Sequence, residues 1–318
     1  MNPDSTRPLH RCRRWLAGLT LLGLLANASW LAWQARPKHD YFAARRAALV
    51  AASTDTERTE VGGYVSQAVR VHGDNGLTVD LRVLRPAGAG RWPLMVLLGG
   101  HRTGRDAVDL LGAPGPIVVA ALDYPYDGPE RPRGLRQSLA TIPAARRALL
   151  DTPPAVLLAL DWLVTQPWVD PARVELVGVS LGVPFAAVAG ALESRFRRVW
   201  LIHGGAGNRA WIEHNLKAKV RSDRLRGLAG GLAWLLAHGP TLEAEHWVPR
   251  ISPRPLIVIG ARADRRLPAE LVEKLHAIAG EPKELIWIEG GHVDRRPEAV
   301  HRLLDTVRSR WGKTAGRR

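Results

Sequence analysis

A serine between two glycines is the first feature of this sequence with chemical meaning. Residues 178–182 read GVSLG, a G-x-S-x-G pentad centred on Ser180. An apolar run of strand type precedes the pentad, and a run of small apolar residues of helical type follows it. A strand that turns directly into a helix needs a tight corner, where glycines let neighbouring backbone approach and leave the serine hydroxyl exposed. The pattern predicts that Ser180 is a nucleophile at such a corner.

An aspartate and a histidine lie where a serine nucleophile would need them. A serine hydroxyl becomes reactive beside a base, and that base must be oriented by an acid. Asp264 follows the strand-like run LIVIG, and His292 follows the run LIWI. Because the carboxyl ends of parallel strands meet at one edge of a sheet, the three side chains should meet there. The sequence therefore predicts a catalytic triad of Ser180, His292 and Asp264.

The elements that would position this triad are short apolar runs, which alternate with helical stretches. Segments 64–71 and 77–84 predict a leading antiparallel pair joined by a turn. The later apolar runs are 93–98, 117–122, 174–179, 198–202, 256–259 and 285–288. Such runs are typical of a parallel sheet that is covered on both faces. We therefore expect an α/β fold with an eight-stranded, mostly parallel sheet and helices on both faces.

About fifty residues separate the strand that ends at Ile202 from the strand that begins at Leu256, more than a simple crossover needs. Residues 204–250 are predicted to form a helical insertion that acts as a lid over the active edge. Within it, GLAGGLAWLL would offer an apolar underside, so Trp234 is a predicted substrate contact. His203 directly follows a strand and is a second candidate substrate contact, although a structural hydrogen bond is the favoured role.

The pentad, the acid after the penultimate strand and the histidine after the last strand resemble the α/β-hydrolase superfamily over about residues 60–312. The segments VLRPAGAGRWPLMVLLGG, LDWLVTQPWVDPARVELVGVSLG and WVPRISPRPLIVIGARADRRLP are similar to its dienelactone hydrolase and prolyl-oligopeptidase-like esterase branch. The resemblance implies acyl transfer to water through an acyl-serine, with no metal and no organic cofactor. The function predicted is hydrolysis of a small-molecule carboxylic ester.

Such a reaction needs N–H donors aimed at the developing oxyanion. One is the backbone N–H of Leu181, the residue after the nucleophile. The second is expected in the loop after the strand PLMVLL, where the superfamily commonly carries His-Gly and this chain reads Gly99-Gly100-His101. Aligning the Gly-Gly pair assigns the second donor to His101, with Gly100 as the alternative. Asp123 ends a strand at the same edge and is interpreted as a carboxylate that braces a loop.

Three other functions stay open at this stage. The same triad cleaves amides in serine peptidases, and it transfers an acyl group to an alcohol in acyltransferases. A hydrolase-like chain can also serve as a non-catalytic binding protein. The intact set of Ser180, Asp264 and His292 favours an enzyme over such a binding protein, because a binding role has no chemical need for all three.

The N-terminal residues 1–36 read as a signal peptide or a signal anchor. Arginines precede an uncharged stretch at residues 15–33, which is the pattern of an export signal. Cleavage near Ala26-Asn27-Ala28 and retention as a membrane anchor are both open, since 19 residues reach the minimum spanning length. We expect residues 37–59 to be a linker with a short helix, and residues 60–318 to be a hydrolase domain outside the cytoplasm, either tethered to the membrane or secreted.

The chain is strongly basic, with 45 Lys and Arg residues against 30 Asp and Glu residues and a formal net charge of +15. Its arginines are scattered and no nucleic-acid fold signature accompanies them, so no nucleic-acid partner is predicted. Cys12 is the only cysteine, which excludes an internal disulfide and a cysteine metal cluster. The histidines between residues 204 and 250 lack metal-ligand spacing, so no metal site is predicted.

Overall fold

One mixed β-sheet forms the centre of the molecule. The computed structural model describes residues 7–60, 62–100, 103–129, 131–292 and 297–311. Within these ranges the strands are β1 Leu49–Thr54, β2 Arg58–Glu60, β3 Tyr64–Gly73, β4 Thr78–Pro86, β5 Trp92–Leu98, β6 Val118–Leu122, β7 Val169–Val179, β8 Arg198–Ile202, β9 Leu256–Ala261 and β10 Lys283–Ile288. Their order across the sheet is β1-β3-β4-β6-β5-β7-β8-β9-β10, and β2 pairs with β3.

Helices cover both faces of this sheet. Within the described ranges they are α1 Arg7–Ala35, α2 Asp40–Ala44, α3 Gly134–Leu163, α4 Gly182–Leu192, α5 Asn208–Leu216, α6 Asp223–Leu236, α7 Gly239–Leu242, α8 Ala244–Trp247, α9 Ala269–Ala277 and α10 Pro297–Trp311, with 3-10 helices at Gly104–Leu110 and Val248–Ile251. On one face the core contains side chains of α3, α4 and α9. On the other face it contains side chains of α10 and of the first 3-10 helix. We call these the α4 face and the α10 face.

The strands that carry the predicted site are parallel and end at one edge. Every neighbouring pair from β6 through β5, β7, β8 and β9 to β10 is parallel. Along β5 the side chains alternate between the two cores, so Leu94 and Val96 face α4 whereas Met95 and Leu97 face α10. This double burial explains why these strands read as continuous apolar runs in the sequence. The predicted mostly parallel sheet with helices on both faces is confirmed.

Among the described residues the sheet has ten strands, where eight were predicted. The two additional strands, β1 and β2, lie at the edge of the sheet, inside the segment predicted as a linker. The side chains of β1 are exposed except for the first, which is half-buried. An edge strand with almost no buried face lacks the apolar pattern that reveals a strand in a sequence. The short helix expected in this segment is present as α2, which ends at Ala44.

The predicted transmembrane helix is a second correction. Among the residues that the structure describes, no helix is long and apolar enough to cross a membrane. From Leu19 onward, helix α1 includes Thr20, Asn27, Ser29 and Gln34, and these polar side chains lower its mean hydropathy.

Candidate active site

Ser180 occupies a strained corner between β7 and α4. Its backbone φ is +53°, a left-handed conformation that is rare for a residue with a side chain. Neighbouring backbone approaches closely on both sides: a Cβ added to Gly178 would lie 2.7 Å from the Gly182 carbonyl oxygen, and one added to Gly182 would lie 2.4 Å from the Leu98 carbonyl oxygen. Both glycines of the pentad are therefore required by the packing of this corner.

The structure brings the three predicted side chains into one hydrogen-bonded chain. The Ser180 Oγ lies 2.8 Å from His292 Nε2. The other ring nitrogen, His292 Nδ1, lies 2.7 Å from Asp264 Oδ2. The imidazole is thus held between a hydroxyl and a carboxylate, the arrangement in which it can accept the hydroxyl proton.

Asp264 is the most heavily hydrogen-bonded member of this chain. Its Oδ1 accepts the backbone N–H groups of Arg266 at 2.9 Å and Leu267 at 3.1 Å. Burial opposes ionisation of the Asp264 carboxyl, but hydrogen bonds from His203, His292 and the Arg266 backbone outweigh it and lower the pKa. The carboxylate therefore stays charged and fixed in the orientation that serves His292.

His203 has a different position from the one expected of a substrate contact. Its side chain is completely buried, and its Nδ1 lies 3.4 Å from Asp264 Oδ2, the oxygen that also faces His292. The two imidazole rings meet edge to face, with centroids 5.4 Å apart. His203 therefore makes the structural hydrogen bond that was its favoured role, and the candidate substrate contact is corrected.

His203, Asp264 and His292 also have the composition of a metal ligand set, since one ligand atom from each lies within 4.8 Å of the others. Nitrogen and oxygen ligands of a tetrahedral zinc ion lie roughly 3.3 Å apart, given bonds of about 2.0–2.1 Å. The 2.7 Å between His292 Nδ1 and Asp264 Oδ2 is shorter than this and has the length of a hydrogen bond. The geometry favours a proton-sharing pair.

The predicted oxyanion donors are Leu181, at the start of α4, and either His101 or Gly100, which follow β5 in the sequence. Leu181 is the residue before the first turn of α4, where backbone N–H groups lack partners within the helix. Gly100 adjoins the serine, since a Cβ added to it would lie 3.7 Å from Ser180 Cβ. His101, the preferred second donor, lies outside the described residues.

Three side chains brace the loop after β5, and sequence analysis identified one of them. Asp123 accepts the backbone N–H of Arg105 at 2.8 Å, in agreement with its predicted bracing role. The Tyr124 hydroxyl donates to the Gly99 carbonyl at 2.5 Å, and the Thr103 hydroxyl donates to the Gly100 carbonyl at 2.7 Å. Tyr124 and Thr103 were missed. Tyr124 could have been found from its position just after a predicted strand, at the same edge of the sheet as Ser180, Asp264 and His292.

Helix α5 holds the loop that carries Asp264. The Trp211 indole and the Asn215 amide both donate to the Arg266 carbonyl, at 2.8 Å and 3.0 Å. His214 Nε2 lies 2.9 Å from the carbonyl oxygen of Arg265. The insertion thereby contacts the site through its first helix, at the backbone just after the acid.

An apolar cavity of about 270 Å³ begins at Ser180 and His292 and continues between the sheet and α10. None of residues 204–250, all of which the structure describes, lines it. The Trp234 indole instead donates to the Glu243 carboxylate at 2.5 Å, so its predicted substrate contact is corrected. The insertion is helical as expected, but its buried side chains, among them Trp247, belong to the core of the α4 face. Its action as a lid stays a prediction.

Solved structures of two esterases are similar to this chain. Acetyl xylan esterase from Paenibacillus sp. R4 has a TM-score of 0.59 at 17% identity, covering 85% of this chain and 95% of that one. Glucuronoyl esterase from Solibacter usitatus has a TM-score of 0.55 at 16% identity, covering 86% and 91%. The chain has the α/β-hydrolase fold. At these identities the likeness shows the fold alone, and the narrower resemblance to the dienelactone hydrolase branch stays a prediction.

Two relatives that match this chain in sequence are uncharacterized proteins. The uncharacterized protein Rv2307c of Mycobacterium tuberculosis (strain ATCC 25618 / H37Rv) is 34% identical over 167 residues, 49% of this chain and 51% of its own length. The uncharacterized protein YfhR of Salmonella typhi is 30% identical over 168 residues, 51% and 53% respectively. The chain thus spans about half the length of the curated relatives it matches. No family model matches it.

Proposed function

We propose that this protein is a serine hydrolase that cleaves carboxylic esters through an acyl-serine intermediate. The observation that carries the proposal is the continuous hydrogen-bonded chain from Ser180 Oγ through His292 to Asp264, built on a serine with positive φ. Strained backbone at a reactive side chain is characteristic of functional sites, because folding alone gives no reason to retain it.

In this mechanism the Ser180 oxygen attacks the ester carbonyl while His292 Nε2 takes the hydroxyl proton. The Asp264 carboxylate stabilises the imidazolium through Nδ1, and the Leu181 N–H donates to the oxyanion with a second N–H from the loop after β5. As the intermediate collapses, His292 returns the proton to the leaving alcohol. A water molecule then repeats the sequence on the acyl-serine and releases the acid.

Two observations support an ester as the substrate. The fold neighbours named above are esterases by name, which makes ester hydrolysis the natural first hypothesis for the same fold. The cavity beside Ser180 is apolar and offers little to recognise a peptide backbone. Export of the domain, inferred from the arginines ahead of residues 15–33, stays a prediction.

A fluorophosphonate probe tests the proposal directly, because it reacts covalently with an activated serine. We expect wild-type protein to be labelled and to hydrolyse p-nitrophenyl esters, and Ser180→Ala to lose both activities while keeping its fold. Loss of a triad nucleophile lowers kcat by roughly 10⁶-fold. Labelling that persists in Ser180→Ala would refute the assignment. Product analysis with added alcohol, and a parallel panel of amides, distinguishes the hydrolase from an acyltransferase and from a peptidase.

A further inference from the structure

The cavity beside Ser180 lies on the α10 face of the sheet. Its walls come from the central strands, from the 3-10 helix Gly104–Leu110 and from one side of α10. On α10 the lining residues are Val300, Leu303, Leu304 and Val307, which recur at helical spacing. These four side chains keep 4–8% of their surface exposed, whereas Trp200 and Ile259 in the same core are fully buried. The difference marks the side chains of α10 that face the space.

The cavity exists because the two faces of the sheet are covered unequally. On the α4 face, long helices cover the central strands and leave side chains such as Val96 and Leu176 with no exposed surface. On the α10 face, the seven-residue 3-10 helix lies against β4 and β6, and α10 is the other helix of this core. Ala107 of that 3-10 helix is small and lines the cavity.

The lining specifies the chemical class of ligand. Polar side chains that line the cavity, among the described residues, are Thr103, Ser180, Arg266 and His292. Three of these four are committed: Ser180 and His292 to each other, and the Thr103 hydroxyl to the Gly100 carbonyl. The fourth, Arg266, is an exposed residue. The remaining lining is aliphatic apart from two glycines. Against the aliphatic part of the lining, a hydroxyl or charged group would have no partner, which costs about 1–3 kcal/mol or more, so an aliphatic chain fits there and a sugar or peptide does not.

Reaction order decides which half of an ester this chain belongs to. After acylation the alcohol must leave and water must reach the same carbonyl, so the alcohol side needs an open route to solvent. An alcohol held between the sheet and α10 would have to leave that cavity before water could attack. The acyl half stays covalently attached to Ser180 throughout this exchange and need not move until the acid is released, so it is the half that this cavity suits.

We propose, as an extension of the ester hydrolase function above, that this cavity binds the aliphatic acyl chain of the substrate between the sheet and α10. Burial of each methylene contributes about 0.8 kcal/mol, equivalent to about fourfold in kcat/KM. Acyl-chain preference is thereby assigned to the α10 face and not to the insertion.

The test compares p-nitrophenyl acetate, butyrate, hexanoate and octanoate across four proteins. In the wild type, kcat/KM should rise about fourfold per methylene until the cavity is full. Ala107→Phe fills the space and should lower the octanoate-to-acetate ratio at least tenfold. Leu304→Ala enlarges the space and should move the optimum to longer chains. Leu228→Ala makes the same substitution at a side chain of α6 that is 72% exposed, and should leave the ratio at its wild-type value.

Further measurements keep the two proposals separable. If fluorophosphonate does not label wild-type protein at Ser180, the hydrolase function itself falls. If labelling and acetate hydrolysis are present but the ratio does not depend on Ala107 or Leu304, only the acyl-site assignment falls. Trp234→Ala tests the competing location. If the preferred acyl-chain length changed in that variant alone, the acyl chain would lie under the insertion and not on the α10 face. Binding of octanoic acid to Ser180→Ala, and its loss in Ser180→Ala/Ala107→Phe, reports occupancy without turnover.

Discussion

Tyr124→Phe removes one oxygen atom from the site's support while leaving the reacting groups in place. The Tyr124 hydroxyl donates to the Gly99 carbonyl at 2.5 Å, and burial raises the pKa of this phenol far above its usual value. Without the hydroxyl, the Gly99 carbonyl has lost its donor inside the protein. A buried group left unpaired in this way destabilises a protein by about 1–3 kcal/mol. We expect Tyr124→Phe to lower the free energy of unfolding by that amount.

The same variant should slow the chemistry through the loop that follows Gly99. That loop contains both candidates for the second oxyanion donor, and loss of one such donor lowers kcat by about 10²–10³-fold. A loosened donor loses part of this contribution, so kcat should fall at least about tenfold, with KM almost unchanged. Urea unfolding followed by tryptophan fluorescence measures the first effect, and steady-state hydrolysis of p-nitrophenyl esters measures the second.

Tyr126→Phe is the matched control, because it removes the same atom two residues away. The Tyr126 hydroxyl makes an exposed hydrogen bond of 3.3 Å to the Pro129 carbonyl. Its loss should change neither stability nor kcat by a measurable amount. If Tyr124→Phe lost stability but kept its kcat, the hydrogen bond to Gly99 would serve the fold alone. The reasoning about the oxyanion loop would then be refuted.

Two further variants test the acid response and the corner at Ser180. Burial, and then nearby positive charge from Arg146, lower the pKa of His238 to about 3. Below about pH 6.5 His238 therefore binds a proton in the unfolded chain but not in the folded chain. The free energy of unfolding then falls by about 1.4 kcal/mol for each pH unit. His238→Asn, which tolerates φ of +54°, should remove that slope from urea unfolding between pH 7 and pH 4. Gly178→Ala places a Cβ 2.5 Å from Ala186 Cβ, so we expect a loss of about 1–3 kcal/mol together with slower fluorophosphonate labelling.

Either variant can contradict its premise. An unchanged pH slope in His238→Asn would assign the acid response to other groups. Wild-type stability and labelling in Gly178→Ala would mean that the corner relaxes without effect on Ser180.

The triad was predictable because its geometry follows from chain order. In a parallel sheet, the residues after β7, β9 and β10 must meet at one edge, and the sequence identifies these strands by their apolar runs. Ser180, Asp264 and His292 therefore needed no knowledge of side-chain contacts. The glycines beside Ser180 were equally predictable, because the close backbone approach that requires them arises within one turn.

The supporting contacts and the ligand space were not predictable in the same way. The bond from Tyr124 to Gly99 joins two strands through a single side-chain atom, and no spacing in the sequence encodes it. The length of the insertion indicated additional helices but gave no information on which face they pack against. Trp234 was therefore placed over the site, although it pairs with Glu243. The cavity depends on how α10 and the first 3-10 helix pack against the sheet, and no spacing in the sequence encodes that packing.

The positive φ of Ser180 also bears on how this chain can change over evolutionary time. A non-glycine residue held in that conformation costs about 1–3 kcal/mol, and alanine there bears the same strain, whereas glycine does not. Under the proposed function, the replacement that relieves this strain also removes the nucleophile. A lineage selected for folding but not for catalysis would gain stability from glycine at this position. The proposed function therefore requires serine at position 180 in spite of its cost in stability.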